Sequence, residues 1–200
     1  MRTSAWLLLV ASVLFLIVSS FASAQEYPKY ELFGGYAYSR LDGRNWHGWH
    51  VSGTRNLHHI LGIIVEAGQL DASNTQSGGG LLFEEKRKTY TFMAGPQVTS
   101  RDAGPLAPFL HLLLGAAHNK YQLSESVNNF STGYSASDTE FAMALGGGID
   151  FKLKGPLAVR GQLDYVGFRI PPATAGSLPF WNKGFRFSGG LSLRLGKESY

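Results

Sequence analysis

The chain has no cysteine. That removes the disulfide framework on which small exported domains with weak cores commonly rely, so strand pairing and burial must hold this one. It also removes thiolate metal sites. Charge of one sign is scarce too. Eighteen Lys and Arg against 14 Asp and Glu give a net +4 that is spread along the chain. The one dense run, Glu84-Glu85-Lys86-Arg87-Lys88, is mixed in sign. A nucleic-acid partner needs clustered basic residues, so that class is excluded. After residue 24 no apolar run approaches the roughly 18 residues of a membrane helix.

What is present is glycine, 25 residues of it, and aromatic side chains at 13%. Mean hydropathy is −0.06, as in many soluble proteins. Membrane barrels have similar values, because only alternate residues of their strands face lipid. The first 24 residues differ from the rest. Arg2 carries their only charge, an apolar run follows from Ala5 to Val18, and Ala22-Ser23-Ala24 is a small-x-small cleavage pattern. Together these features predict a secretory signal peptide over 1–24, with the folded chain over 25–200. The cysteine-free body suits one domain or one closed barrel.

Eight segments alternate with period two: Tyr30–Arg40, Trp46–Asn56, Ile60–Leu70, Lys86–Thr99, Pro108–Tyr121, Asp138–Leu153, Leu157–Phe168 and Gly184–Leu195. Successive side chains of a strand point to opposite faces. The last segment places Phe185, Phe187, Leu191, Leu193 and Leu195 on one face and Arg186, Ser188, Ser192 and Arg194 on the other. Asp42-Gly43 supplies turn chemistry between the first two segments, and Pro96 predicts a bulge or strand end in the fourth. Links after the second, fourth and sixth segments are short, the first is intermediate, and those after the third, fifth and seventh are long. Short turns at one end and long loops at the other are the plan of a transmembrane barrel. The expected fold is therefore all-β: an eight-stranded, antiparallel, up-and-down transmembrane β-barrel.

The polar parity collects Glu31, Glu66, His111, Glu140, Asp150, Lys152, Arg160, Asp164, Arg186 and Arg194. An eight-stranded barrel has room inside only for side chains, and buried charges must be paired. These ten residues are expected to form a mutually neutralising lumen network, with Gly35, Gly115, Gly146 and Gly148 leaving space for long arginines. Tyr36, Tyr38, Trp46, Trp49, Tyr121, Tyr165 and Phe185 lie toward strand ends and are expected in an interfacial aromatic girdle.

Other chemistry is thin. His118, Ser124 and Glu125 contain the ingredients of a hydrolase but no arrangement that activates the serine. His47 and His50, and the adjacent His58 and His59, lack a carboxylate or thiolate at metal-site spacing and read as solvated or interfacial. Gly78-Gly79-Gly80 has no following Lys-Ser/Thr, so it is not a phosphate cradle. Asn129-Phe130-Ser131 fits a glycosylation sequon, a short pattern that carries little weight by itself. No cofactor, metal or catalytic residue is expected.

In its leader, its opening strand Tyr30-Glu31-Leu32-Phe33-Gly34-Gly35-Tyr36-Ala37-Tyr38 and its closing strand Ser188-Gly189-Gly190-Leu191-Ser192-Leu193-Arg194-Leu195, the chain resembles the small OmpA/OmpX-type outer-membrane barrels. The resemblance spans residues 27–195 at the level of pattern. It implies outer-membrane lipid around the barrel, the barrel-assembly machinery during biogenesis, and an extracellular ligand at loops 71–85, 122–137 and 170–183. Family members often end the last strand on an aromatic sorting residue; here Gly196-Lys197-Glu198-Ser199 precede Tyr200. Larger members carry a peptidoglycan-binding domain, and no counterpart to it is expected after strand eight. Three other readings stay open: a small pore for ions or solutes, a periplasmic lipocalin-like barrel with its apolar parity turned inward, and a lipid-modifying enzyme.

Overall fold

The computed structural model describes residues 27–41, 43–78, 81–102, 104–127, 130–170 and 180–197. The leader, Tyr200, Asn129 and residues 171–179 of the predicted third loop lie outside them. Eight strands run in chain order: β1 Tyr30–Leu41, β2 Arg44–Asn56, β3 Leu61–Gly78, β4 Leu81–Thr99, β5 Leu106–Val127, β6 Phe130–Lys152, β7 Leu157–Ile170 and β8 Phe180–Leu195. Each pairs antiparallel with its neighbour, and β1 pairs with β8 to close the barrel. Closure leaves no sheet edge where all eight strands pair, so the wall satisfies its own backbone groups there. Beyond it, β3 past Asp71 and β6 before Ala142 pair on one side only.

The two parities settle the inside and the outside. Leu32, Ile63, Phe92, Leu110, Leu145, Phe187 and Leu191 are exposed on the outer wall. Phe33, Ile64, Leu113, His50, Arg160, Asp164 and Arg186 are buried within it. The apolar parity therefore faces outward around the whole barrel, which a ligand-binding barrel with an apolar interior would reverse. Among the described residues there is no helix.

Three expectations need correction. The segments 71–85 and 122–137 are not loops along most of their length. β3 and β4 stay paired out to Gly78 and Leu81, and β5 and β6 out to Val127 and Phe130. Polar composition suggested loops, but cross-strand hydrogen bonding is indifferent to side-chain polarity once two strands are in register. The third predicted loop, Ile170–Lys183, likewise gives its ends to β7 and β8. The link after β1 is a two-residue turn, with Gly43 at φ 70°, a conformation that favours glycine.

Pro96 neither bulges nor ends β4. The β4–β5 register is the same on both sides of it, and only the pairs at Gly95 and Pro96 are missing. Pro96 lies on the outward parity, where the missing N–H interrupts the ladder without shifting it.

The aromatic girdle also changes. Tyr36, Trp49, Tyr165 and Phe185 are exposed on the outer wall. Trp46 is buried inside, because it shares the parity of His50 and Ser52 on β2. Tyr121 shares the inward parity of Ala117 and Asn119, and the Arg87 guanidinium stands over its ring. Proximity to a strand end does not fix the face; position within the pleat does.

Candidate functional site in the lumen

Barrel closure brings the buried charges into two groups. The lower group lies near the end that holds both described termini and the short turns. Arg160 on β7 donates from Nε and Nη2 to the two oxygens of Asp150 on β6, at 2.6 and 2.7 Å, and from Nη2 to Glu31 on β1 at 3.1 Å. Its guanidinium is also held between aromatic faces, 5.4 Å from the Phe33 ring and 4.4 Å from that of Phe109. The other Glu31 oxygen accepts from Asn56 at 2.8 Å and from Arg101 at 2.7 Å. Arg101 comes from the turn between β4 and β5 and also donates to the His59 carbonyl. Two guanidiniums thus face two carboxylates, and the forked geometry of arginine makes such bidentate pairing strong.

The second group sits higher. Arg186 on β8 donates to Glu66 on β3 at 2.5 Å and to Asp164 on β7 at 2.6 and 3.0 Å. Each carboxylate also meets an imidazole. His111 Nε2 lies 2.9 Å from Asp164, and His50 Nε2 lies 2.9 Å from Glu66. Gln162 donates to Asp164 at 2.8 Å, and the other His50 nitrogen contacts the Ser188 hydroxyl at 3.2 Å. Each member therefore has a partner inside the barrel, as buried charge requires.

Seven of the ten expected residues join these groups: Glu31, Glu66, His111, Asp150, Arg160, Asp164 and Arg186. The other three do not. Glu140 accepts from Asn119 at 3.2 Å near the upper mouth. Lys152 donates to the carbonyls of Arg101 and Gly104 in the lower turn, at 3.0 and 2.9 Å. Arg194 has a buried Nε without a hydrogen-bond partner among the described residues. Two members were missed. Arg101 lies in a turn, where parity says nothing. His50 read as interfacial, although its place opposite Trp49 and Val51 marks it as inward.

Glycine makes room where arginine cannot bend. A Cβ at Gly146 would collide with the Asp164 carboxylate and the Leu163 carbonyl, so any larger residue would displace the acceptor of Arg186. Above the second group lies a mouth cavity of about 170 Å³, its floor made by Leu41, Trp46 and Phe168 and its wall carrying Arg87, Asn119 and Glu140. The Trp46 indole N–H is buried without a hydrogen-bond partner among the described residues. Over the cavity, Glu85 accepts from Arg44 at 2.8 Å and from Arg87 at 2.6 Å. Burial raises the Glu85 pKa, but those two arginines outweigh it and hold the carboxyl below its ordinary value.

The hydrolase ingredients are not assembled. His118 contacts the Thr139 hydroxyl at 2.8 Å, and Ser124 lies six residues further along β5, about 20 Å away at strand rise. Among the described residues no group of three or more His, Asp or Glu could hold a metal.

A closed eight-stranded barrel with an apolar outer wall and a polar, filled interior defines an integral outer-membrane barrel. The chain belongs to the outer membrane protein beta-barrel domain family, whose model matches residues 8–193. Among solved structures it is similar to Ail, the attachment invasion locus protein of Yersinia pestis, at 22% identity and TM-score 0.54, over 86% of this chain and 100% of that one. A major outer membrane protein of Thermus thermophilus matches at 15% identity and TM-score 0.51, over 82% and 99%. OprG of Pseudomonas aeruginosa matches at 13% identity and TM-score 0.51, over 86% and 98%. No curated protein matches. The protein is thus an OmpA/OmpX-type barrel of the bacterial outer membrane.

Proposed function

We propose that this protein is a non-enzymatic scaffold that holds a surface-interacting end rigidly in the outer membrane. The observation that carries the proposal is the filled lumen. Arg160 and Arg186, with their four carboxylate partners, occupy the barrel at two levels, and Gln97, Thr54 and Leu113 are buried between the walls. A lumen occupied by paired charge stabilises the wall and leaves little bore for solutes. At the opposite end from the short turns, the β3–β4 and β5–β6 hairpins project as paired strands, and specificity on a rigid scaffold belongs at such ends. Ail was crystallised in complex with the heparin analogue sucrose octasulfate, so a barrel of this fold can hold a sulfated sugar. Here the ligand would engage the hairpin tips and the segment between β7 and β8. Export would follow cleavage after Ala24, and insertion would use the barrel-assembly machinery.

The test is conductance. The mature chain, refolded and reconstituted in a planar bilayer, should give no steady current steps. Reproducible steps that Arg160→Ala enlarges would replace the scaffold with a pore.

A further inference from the structure

On β4 and β5 the outer wall carries a basic cluster that the lumen does not explain. Lys86 and Lys88 on β4 share the outward parity of Tyr90 and Phe92, and Lys120 on β5 shares that of Leu112 and Leu114. All three lysines are exposed. Lys88 and Lys120 are direct cross-strand partners. Like charges placed opposite one another destabilise a sheet, so the pair needs a counter-charge. The protein supplies Asp71 on β3, whose carboxylate is 3.8 Å from Lys88 Nζ and already accepts from Gln69 at 2.7 Å. One half-exposed carboxylate against two ammoniums leaves positive charge on the wall. The other outward positions beside the Lys88–Lys120 pair are His118, opposite Tyr90, and Ser137, opposite Lys120, and neither adds a carboxylate; the remaining acidic position on this parity of β4, Glu84, lies beyond Lys86.

The height of the patch identifies what it meets. Phe92 is 63% exposed and belongs to the apolar belt. Tyr90 follows one pleat higher, and Lys120 Nζ lies 5.6 Å from its ring. Apolar belt, aromatic edge and then ammonium is the order in which a wall passes from hydrocarbon to head groups. At the other end of the belt, β4 and β5 present Val98 and Leu106 outward, with no lysine.

We propose that Lys88 and Lys120, with Lys86 at the margin, form a docking surface for the phosphate groups of lipids in the outer leaflet. The assignment rests on the reading that the long-hairpin end faces outside. Lysine acts on phosphate as a point charge, and basic side chains at an anionic membrane surface add to its affinity. A lipid phosphate between the two ammoniums also relieves their mutual repulsion.

The mature chain, folded in detergent, should be titrated with fluorescent diphosphoryl lipid A and with the same lipid dephosphorylated. The wild-type protein should prefer the phosphorylated form by on the order of tenfold. The double substitution K88Q/K120Q should abolish that preference, and K154Q, in the β6–β7 turn at the far end, should keep it. Equal binding of both lipids by the wild type overturns the proposal without any variant. A preference that survives K88Q/K120Q overturns it too. Displacement of the lipid by inorganic phosphate at similar concentration would mean a free-anion site and also sink the lipid assignment. The heat-shifted band on SDS gels reports the barrel separately, so a lost preference with an intact band leaves the scaffold reading standing.

Discussion

Two sets of arginine–carboxylate pairs in this barrel share one chemistry and differ in solvent. In the lumen, Arg160 meets Asp150 at 2.6 Å with side chains 1% and 3% exposed. At the mouth, Arg87 meets Glu85 at the same 2.6 Å, with the arginine 37% exposed. Distance alone would rank them equal. The mouth arginine is solvated without its partner although the Glu85 side chain is only 10% exposed, so the pair contributes about 1 kcal/mol. Inside the barrel the alternative to pairing is an unsolvated charge, and removing one member costs about 3–5 kcal/mol. The lumen pairs thus measure what would be lost if they were broken, more than what was gained by having them.

The largest effect should come from breaking the lumen. Arg160→Leu strands Asp150 and one oxygen of Glu31, and it should lower stability by about 3–5 kcal/mol. The readout is the temperature at which the heat-shifted band disappears, together with folded yield in detergent. An unchanged transition would mean that the pairs are ornamental. Gly146→Val should come next. It pushes the Asp164 carboxylate away from Arg186, and a loss of about 1–3 kcal/mol in urea unfolding from vesicles is expected for such overpacking. Wild-type stability there would show that the wall can relax locally.

The mouth gives the smaller effects. Glu85→Gln should cost no more than about 1 kcal/mol. The Glu85 carboxyl is held below its ordinary value, so its stabilisation is present above that value and fades as pH falls through the lower folded one. A pH series of unfolding midpoints should therefore show the wild type converging on Glu85→Gln at the acid end. Divergence there would reverse the assigned sign. Trp46→Phe should be the least disruptive, because it removes a buried N–H that has no partner among the described residues. A gain of up to about 1 kcal/mol is expected, and a clear loss would show that the indole N–H is satisfied by water in the mouth.

Legibility followed the range of each interaction. Which residues share a face could be read from period two alone, and seven of the ten named residues, drawn from β1, β3, β5, β6, β7 and β8, meet partners in the lumen. Arg101 was invisible, since it reaches Glu31 from a turn 70 residues away. Glu140 and Lys152 have the right parity but lie beyond the two groups, and parity carries no information on height. Arg194 is level with Glu31, its cross-strand partner, yet Glu31 takes its hydrogen bonds from Arg101, Arg160 and Asn56 instead. The hairpins beyond Asp71 and Gln122 were hidden by polar composition, which describes solvent exposure and not pairing.

The eight alternating segments, the sorting of residues onto two faces and the need to neutralise charge on whichever face is enclosed were already set in the chain. These follow from the geometry of one strand and the cost of buried charge. The tertiary structure decided who pairs with whom. Glu31 meets Arg160 across 129 positions only because β1 closes on β8 in one register, and a shift of that register would exchange every lumen partner.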